Sequence, residues 1–190
     1  MARQIHYDVT VYKWPELSEA AKDNARQKYE EHNGGANWFR AEEYLDAIKK
    51  LAKHFGGKVV DYSLDWSGGC SPSSMDFEMP TREEIGMTKT GWRRDIWAKL
   101  RELGRFNRRT LRGHGDCKLT GMCYDENAID GFRWAFYRDK ENDLNVLMQS
   151  AFDSWMKAAH EDYEYDFGDE GMKETAEANE YEYTEDGRMV

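Results

Sequence analysis

Alternating apolar and polar residues predict four short strands along the chain. The alternation over residues 4–13 is typical of a strand with one buried face. The same pattern predicts a second strand over residues 60–66 and a third over 75–79, paired with the second. A further edge strand is predicted over residues 181–184. We therefore expect a small, mostly antiparallel sheet of three to five strands.

Apolar residues at helical spacing predict helices between and after these strands. The predicted helices span residues 19–32, 37–55, 92–111, 141–163 and 170–178. The first follows Ser18, a favoured N-cap residue, and ends at Gly34-Gly35. Residues 116–124 are interpreted as a short strand or an irregular loop. We expect an α+β fold with about four helices packed on the sheet.

The long C-terminal helix carries an apolar stripe that fits either a core or a dimer seam, and we favour the core. The stripe consists of Leu144, Leu147, Met148, Ala151, Trp155 and Ala159. The length of 190 residues suits one domain with an appendage. We expect a single α+β domain over residues 1–160 and an acidic C-terminal extension, residues 161–190, packed on it or appended to it.

Composition excludes several classes of protein. The chain is 39% hydrophobic, 34% charged and 14% aromatic, which favours a small core under a heavily solvated surface. It contains no apolar run that would span a membrane, and its first residues, MARQIHYDV, lack the apolar stretch of a secretory signal. Three cysteines are too few for a disulfide scaffold and fit a reducing cytosol. We expect a cytoplasmic protein, not a fibrous, disulfide-rich or membrane protein.

The formal net charge of −10 is unevenly distributed. Residues 160–190 hold twelve acidic and two basic side chains, whereas residues 82–113 hold ten basic and four acidic ones. Three interpretations stay open at this point. The two segments neutralise each other within the fold, the basic segment touches nucleic acid, or the acidic segment occupies a basic groove on a partner.

The acidic C-terminal segment also contains tyrosines between its carboxylates, which is typical of a protein–protein interface. Regularly spaced carboxylates can also replace DNA phosphates in a channel lined by Arg and Lys. The alternative is a solvated surface that aids solubility. The candidate partner-binding residues are Glu161, Asp162, Tyr163, Glu164, Tyr165, Asp166, Asp169, Glu170, Tyr181, Glu182, Tyr183, Glu185 and Asp186.

The sequence contains no established motif for a metal site or a catalytic site. His114, Cys117 and Cys123 lie close in sequence and Cys70 lies in a Gly-rich loop, but no CxxC or HxxxH pair exists. We expect no metal and no cofactor, with the cysteines packed as small hydrophobic side chains. A nucleophilic Cys117 or Cys70 would need a nearby base, and the histidines considered for that role are His54, His114 and His160. The paired carboxylates of the strands are expected on an outer, solvated face: Asp61, Asp65, Asp76 and Glu78.

The basic helix predicted over residues 92–111 interleaves arginines with Trp92, Trp97 and Phe106, a combination that can grip phosphates and stack on bases. Its candidate nucleic-acid contacts are Arg105, Arg108, Arg109 and Arg112. The overall charge of −10 opposes attraction of DNA from a distance. We therefore do not expect direct nucleic-acid binding.

Three segments carry a resemblance to a known family. Residues 178–188, ANEYEYTEDGR, resemble the ending AN-E-Y-x-[FY]-T-E-x-G-R; residues 17–26, LSEAAKDNAR, resemble the start; and residues 116–126, DCKLTGMCYDE, resemble a C-x-LTG-x-C-x-D stretch. These are features of small acidic proteins encoded by phages, prophages and plasmids, some of them labelled antitoxin of a toxin–antitoxin system. The resemblance implies a mobile-element protein that acts inside a bacterium, and it brings no catalytic residue.

The expected function follows from the acidic segment and this resemblance together. We expect a stoichiometric inhibitor, not an enzyme, that binds a bacterial defence nuclease of anti-CRISPR or antirestriction type through an acidic, DNA-mimicking or groove-blocking surface. The alternatives are an antitoxin that neutralises a toxin by direct binding, a small cysteine-dependent enzyme, and a nucleic-acid-binding protein. The oligomeric state is left open.

Overall fold

Six α-helices and one two-stranded antiparallel sheet make up the computed structural model, which describes residues 10–68, 72–104, 118–121, 124–138 and 143–190. The elements are α1 (Glu19–Asn33), α2 (Ala41–His54), β1 (Lys58–Ser63), β2 (Ser74–Glu78), α3 (Lys89–Glu102), α4 (Tyr124–Arg138), α5 (Leu144–Phe167) and α6 (Asp169–Ala178). Short 3-10 turns over Trp14–Glu16 and Gly35–Asn37 flank α1. Within the described ranges, no helix is long and apolar enough to cross a membrane.

The chain divides into two compact units. The terminal unit combines Met1–Trp38 with Asp162–Val190, and the central unit spans Phe39–Glu161. Helix α5 has residues in both. The acidic segment expected as a C-terminal extension therefore shares a unit with the N-terminal segment, apart from Glu161.

The terminal unit has its own apolar core, built from both ends of the chain. Its buried residues are Trp14, Leu17, Ala21, Ala25, Met172, Ala176 and Tyr183. The backbone N–H of Ala21 donates to Ser18 Oγ at 3.2 Å, so Ser18 caps α1 as its sequence position predicts. On α6, Met172 and Ala176 lie one turn apart, which turns one side of the helix to the core and leaves the other in solvent.

The core of the central unit contains the apolar sides of α2, α4 and α5. The ring of Phe55 stacks on Phe132 with centroids 4.2 Å apart, and Trp155 Nε1 donates to the carbonyl oxygen of Tyr44 at 2.9 Å. The predicted stripe of α5 is buried within a single chain, which confirms that it belongs to the core. A stripe buried in this way is not available as a dimer seam.

The sheet is smaller than predicted. Strands β1 and β2 pair antiparallel, as the alternation predicts, but they are the only two strands in the described part of the chain, whereas three to five were expected. Residues 181–184 form isolated bridges instead of a strand, with Tyr183 bridged to Tyr12 and to Met189. Of the strand predicted over residues 4–13, residues 4–9 lie outside the described ranges.

The apolar side of the strand predicted over residues 60–66 is only partly buried: Trp66 is buried and Leu64 half-buried, but the two residues of this side that lie within β1 are exposed. Val60 is 60% exposed and Tyr62 is 44% exposed. The pairing register shifts between Val59 and Asp61, so Val60 is an extra residue without a partner on β2. Such a bulge interrupts the strict alternation on which the prediction depends.

Helix α4 was not predicted from the sequence. Its buried residues, Ala128, Ile129, Phe132, Ala135 and Phe136, recur at helical spacing. Helix α3 begins at Lys89, three residues earlier than predicted, and residues 105–111 of the predicted helix lie outside the described ranges. The helix predicted over residues 37–55 is α2 preceded by a 3-10 turn.

Candidate interaction surface

The net charge of the protein belongs to the terminal unit. Its sequence positions hold 17 acidic and 7 basic residues, a difference of −10, whereas the central unit holds 20 of each. Because the acidic side chains of a folded unit are solvated unless they are paired, an excess of this size creates an anionic surface. The terminal unit is therefore where a basic partner would be attracted.

Helix α6 presents the most regular row of these carboxylates. Glu170, Glu174 and Glu177 are exposed and follow the i, i+4, i+7 spacing that places residues on one side of a helix. Tyr165, near the end of α5, is 43% exposed and its hydroxyl donates to Glu174 Oε2 at 3.0 Å. We call Tyr165, Glu170, Glu174 and Glu177 the acidic face.

The carboxylates around Tyr165 change the pKa of its phenol. Its hydrogen bond to Glu174 raises the pKa of Tyr165 above the usual value, with further contributions from the negative charges of Glu170 and Asp166. Tyr165 therefore stays a neutral hydrogen-bond donor held against an anionic helix.

Only part of this charge is neutralised by the unit's own cations. Among the described residues of the unit, ion pairs include Lys13–Glu182 at 3.3 Å, Arg26–Asp169 at 3.8 Å, Lys173–Glu177 at 4.0 Å and Arg188–Asp186 at 2.7 Å, together with pairs inside α1. Exposed pairs of this kind contribute little to stability, because both charges remain solvated. Over the described residues, Glu170 and Glu174 have no cation within ion-pair distance, so their charge faces solvent.

Two of the candidate tyrosines lie in the interior. Tyr163 is buried, donates from its hydroxyl to Glu30 Oε1 at 3.0 Å and accepts from the N–H of Gly35 at 3.2 Å. Tyr183 is buried against Trp14, with ring centroids 5.8 Å apart. Burial raises the pKa of Tyr183 to about 12. These two rings hold the unit together, and we leave them out of the surface.

Two other candidate residues form hydrogen bonds within the terminal unit. Asp166 accepts from Trp38 Nε1 at 2.9 Å. The hydroxyl of Thr184 and the guanidinium of Arg188 hydrogen-bond to Asp186 and hold the pKa of its carboxyl below the usual value. The remaining candidates are exposed or half-buried: Glu161, Asp162, Glu164, Asp169, Tyr181, Glu182 and Glu185.

Glu174 and Glu177 were not among the candidate residues, although the structure places them beside Glu170. The sequence did contain an indication of this arrangement: residues 170, 174 and 177 have the spacing of one helix side, in a segment predicted to be a helix. The hydrogen bond between Glu174 and Tyr165 crosses from α6 to α5, and no local sequence pattern indicates such a contact.

The basic and cysteine-based alternatives fall on residues outside the described ranges. These residues are Cys70, Arg105, Arg108, Arg109, Arg112, His114, Cys117 and Cys123. Among the residues that are described, no group of three or more His, Cys, Asp or Glu side chains could hold a metal ion.

The candidate histidines His54 and His160 each lie within hydrogen-bond distance of a backbone carbonyl, and most of the strand carboxylates are exposed. His54 Nε2 lies 3.0 Å from the carbonyl oxygen of Lys99, and His160 Nε2 lies 2.9 Å from that of Asp65. Asp61, Asp76 and Glu78 are exposed, as predicted, and Asp65 is half-buried, where its carboxylate accepts from the N–H and hydroxyl of Ser67.

Comparisons with protein-family models, with curated proteins and with solved structures found no match for this chain. The resemblance carried by residues 17–26, 116–126 and 178–188 therefore stays a prediction.

Proposed function

We propose that the protein is a stoichiometric inhibitor, encoded by a mobile element, that binds a bacterial defence nuclease of anti-CRISPR or antirestriction type. The observation that carries the proposal is the acidic face, a row of exposed carboxylates around Tyr165 in the unit that holds the whole net charge of −10. The acidic face occupies the nuclease's basic nucleic-acid groove and thereby excludes the substrate.

The spacing of the carboxylates suits such a groove. With a rise of about 1.5 Å per residue, Glu170, Glu174 and Glu177 place three carboxylates along roughly 10 Å of helix, and Glu177 also pairs with Lys173. A groove lined by Lys and Arg attracts anions from solution. When the acidic face binds in the groove it displaces these anions, so binding weakens as the salt concentration rises. Affinity thus comes from the same electrostatic source as DNA binding.

Tyr165 adds an apolar contact to the electrostatic attraction. Tyrosines are enriched among the residues that dominate protein–protein binding, because they bury a large rigid ring and keep a polar end. The ring of Tyr165 is 43% exposed, and its hydroxyl is already oriented by Glu174. Little side-chain entropy remains to be lost when a partner covers the ring.

The test is a titration of DNA cleavage by a panel of purified nuclease effectors from bacterial defence systems. We expect at least one nuclease to be fully inhibited at one inhibitor per active complex, with inhibition weakening as salt rises. The variant E170Q/E174Q should need at least tenfold more protein, and Tyr165→Ala should lose a similar factor. The matched control is E42Q/E43Q, which removes two exposed carboxylates from the first turn of α2 in the central unit.

The outcomes separate the proposal from its alternatives. Equal losses in E170Q/E174Q and E42Q/E43Q would show that net charge, and not the acidic face, matters. Inhibition of a purified toxin but of no nuclease would overturn the proposal in favour of the antitoxin alternative. Circular dichroism of each variant checks that the fold is retained.

A further inference from the structure

The central unit contains a cleft of about 660 Å³ between α3 and α4. Its lining residues in the described part of the chain are Lys89, Thr90, Arg93, Arg94, Trp97, Phe136 and Tyr137. Small-molecule sites in proteins typically measure about 300–1,000 Å³, so the cleft is large enough for a ligand with several functional groups. The α4 side of this cleft was not predicted from sequence because α4 itself was missed.

Three aromatic rings form one side of the cleft. Phe136 is buried, and the half-buried ring of Trp97 lies nearly parallel to it, with centroids 6.3 Å apart and an interplanar angle of 9°. Tyr137 is 37% exposed and stands edge-on to both rings. The indole and the phenol thus present aromatic surface to whatever enters.

Three cations lie on the same cleft, all on α3. Lys89, Arg93 and Arg94 occupy positions i, i+4 and i+5 of the helix, and the guanidinium of Arg93 lies over the ring of Phe136 at 4.6 Å from its centroid. No acidic side chain lines the described part of the cleft. The described part of the lining thus contributes three cationic side chains, although the central unit as a whole has as many acids as bases.

We propose that this cleft binds a nucleotide unit, meaning an unpaired base that carries phosphate, from a free nucleotide or from a single-stranded nucleic acid. The base stacks against Trp97 and Tyr137, and the phosphate interacts with Arg94 and Lys89. Aromatic side chains beside a cationic strip are the combination with which proteins hold single-stranded nucleic acids without reading a sequence. This inference does not depend on the proposed function, since the acidic face belongs to the other unit.

The charges close to a bound phosphate matter more than the overall charge of the chain. At 0.1 M salt, electrostatic effects decay over about 10 Å, so Lys89, Arg93 and Arg94, which line the cleft, act on a phosphate bound there. The overall charge slows the approach of a long polyanion, and binding is therefore expected to be strongest with short ligands at low salt.

The experiment uses the full-length protein and isothermal titration calorimetry in 50 mM salt. The probes are ATP, adenosine, tripolyphosphate and an unlabelled eight-residue oligothymidylate. We expect ATP to bind at least tenfold more tightly than either adenosine or tripolyphosphate, because only ATP engages both the rings and the cations. Preferential binding of the oligonucleotide would identify single-stranded nucleic acid as the source, and preferential binding of ATP a free nucleotide.

Variants locate the site. Arg94→Gln should weaken ATP binding at least fivefold and reduce its salt dependence, and Tyr137→Leu should weaken it roughly tenfold through lost stacking. The matched control is Arg101→Gln, which removes an equal charge from an exposed position of α3 that does not line the cleft. Equal effects of Arg94→Gln and Arg101→Gln, or tripolyphosphate binding as tightly as ATP, or no binding of ATP or the oligonucleotide, would overturn the proposal.

Discussion

Tyr12 and Tyr183, which come from opposite ends of the chain, exchange both of their backbone hydrogen bonds. The N–H of Tyr12 donates to the carbonyl of Tyr183 at 2.8 Å, and the N–H of Tyr183 donates back at 3.0 Å. The ring of Tyr183 packs between α1 and α6 in the core that Trp14 also joins. This pairing closes the terminal unit and orients α6, so that its apolar side is buried and its carboxylates remain outside.

The first prediction concerns the turn that follows this pairing. Gly187 has a φ of +81°, and a Cβ at this position would collide with the backbone of Ala21 in α1. We expect Gly187→Ala to lower the free energy of unfolding by about 2–4 kcal/mol, because it combines an unfavourable backbone conformation with overpacking. The measurement is urea unfolding followed by circular dichroism.

Its control is another glycine of the terminal unit. Gly35 also has a positive φ, +59°, but a Cβ there would meet nothing within 4 Å. Gly35→Ala should therefore cost only the backbone contribution, about 1 kcal/mol. Equal losses at the two positions would mean that the contact with Ala21 is unimportant.

The second prediction concerns pH and Tyr183. Its pKa is about 12 in the folded protein and near the ordinary value of 10.0 when unfolded. Below pH 10 the phenol is neutral in both states, and between pH 10 and 12 only the unfolded chain releases the proton, so stability falls as pH rises through this window. We expect Tyr183→Phe to make the loss of stability above pH 10 less steep in urea titrations at pH 8, 10 and 11.

The same variant has an expected effect at neutral pH. In the described part of the chain, the buried hydroxyl of Tyr183 has no hydrogen-bond partner. Removing it relieves the cost of burying an unpaired polar group, so Tyr183→Phe should be neutral or stabilising by about 1 kcal/mol at pH 7. A loss above 1 kcal/mol at pH 7 would show that the hydroxyl is paired in solution.

The third prediction tests the core of the central unit. Trp155 is fully buried, and its indole N–H donates to Tyr44 at 2.9 Å. Trp155→Phe should lower the free energy of unfolding by about 2–4 kcal/mol through the lost hydrogen bond and the cavity left behind. Trp134→Phe is the comparison, since Trp134 is 45% exposed, and it should change stability by no more than about 0.5 kcal/mol.

The fourth prediction assigns a structural role to a buried carboxylate. Asp125 in α4 is fully buried and accepts three hydrogen bonds, from the N–H of Leu119, the N–H of Thr120 and the hydroxyl of Thr120. Asp125→Asn replaces one acceptor oxygen by a donor, and we expect a loss of about 1–3 kcal/mol. The half-buried Glu126 provides the matched substitution, Glu126→Gln, which should be nearly neutral in the same urea titration.

The sequence could predict those elements whose signals are local. Ser18 and the glycines after Asn33 mark α1, and the alternation around Met75 predicts the β1–β2 hairpin. Helix α4 was missed although its apolar spacing is helical, because Gly131 and the density of aromatic residues obscure the pattern. Gly131 is needed there, since a Cβ would collide with Ser150 and Ser154 of α5, and sequence alone does not reveal that approach.

By itself, the sequence determined the positions of the helices other than α4 and where the negative charge is concentrated along the chain, because both depend on residues close together in the polypeptide. Only the tertiary structure decided which tyrosines face solvent: Tyr163 and Tyr183 are interior, whereas Tyr165 lies at the acidic face. Each of the three tyrosines directly follows an acidic residue, so this local pattern does not distinguish them. Their burial depends on contacts with Glu30, Trp14 and other residues far away in sequence, and such contacts arise only when the two ends of the chain pack together.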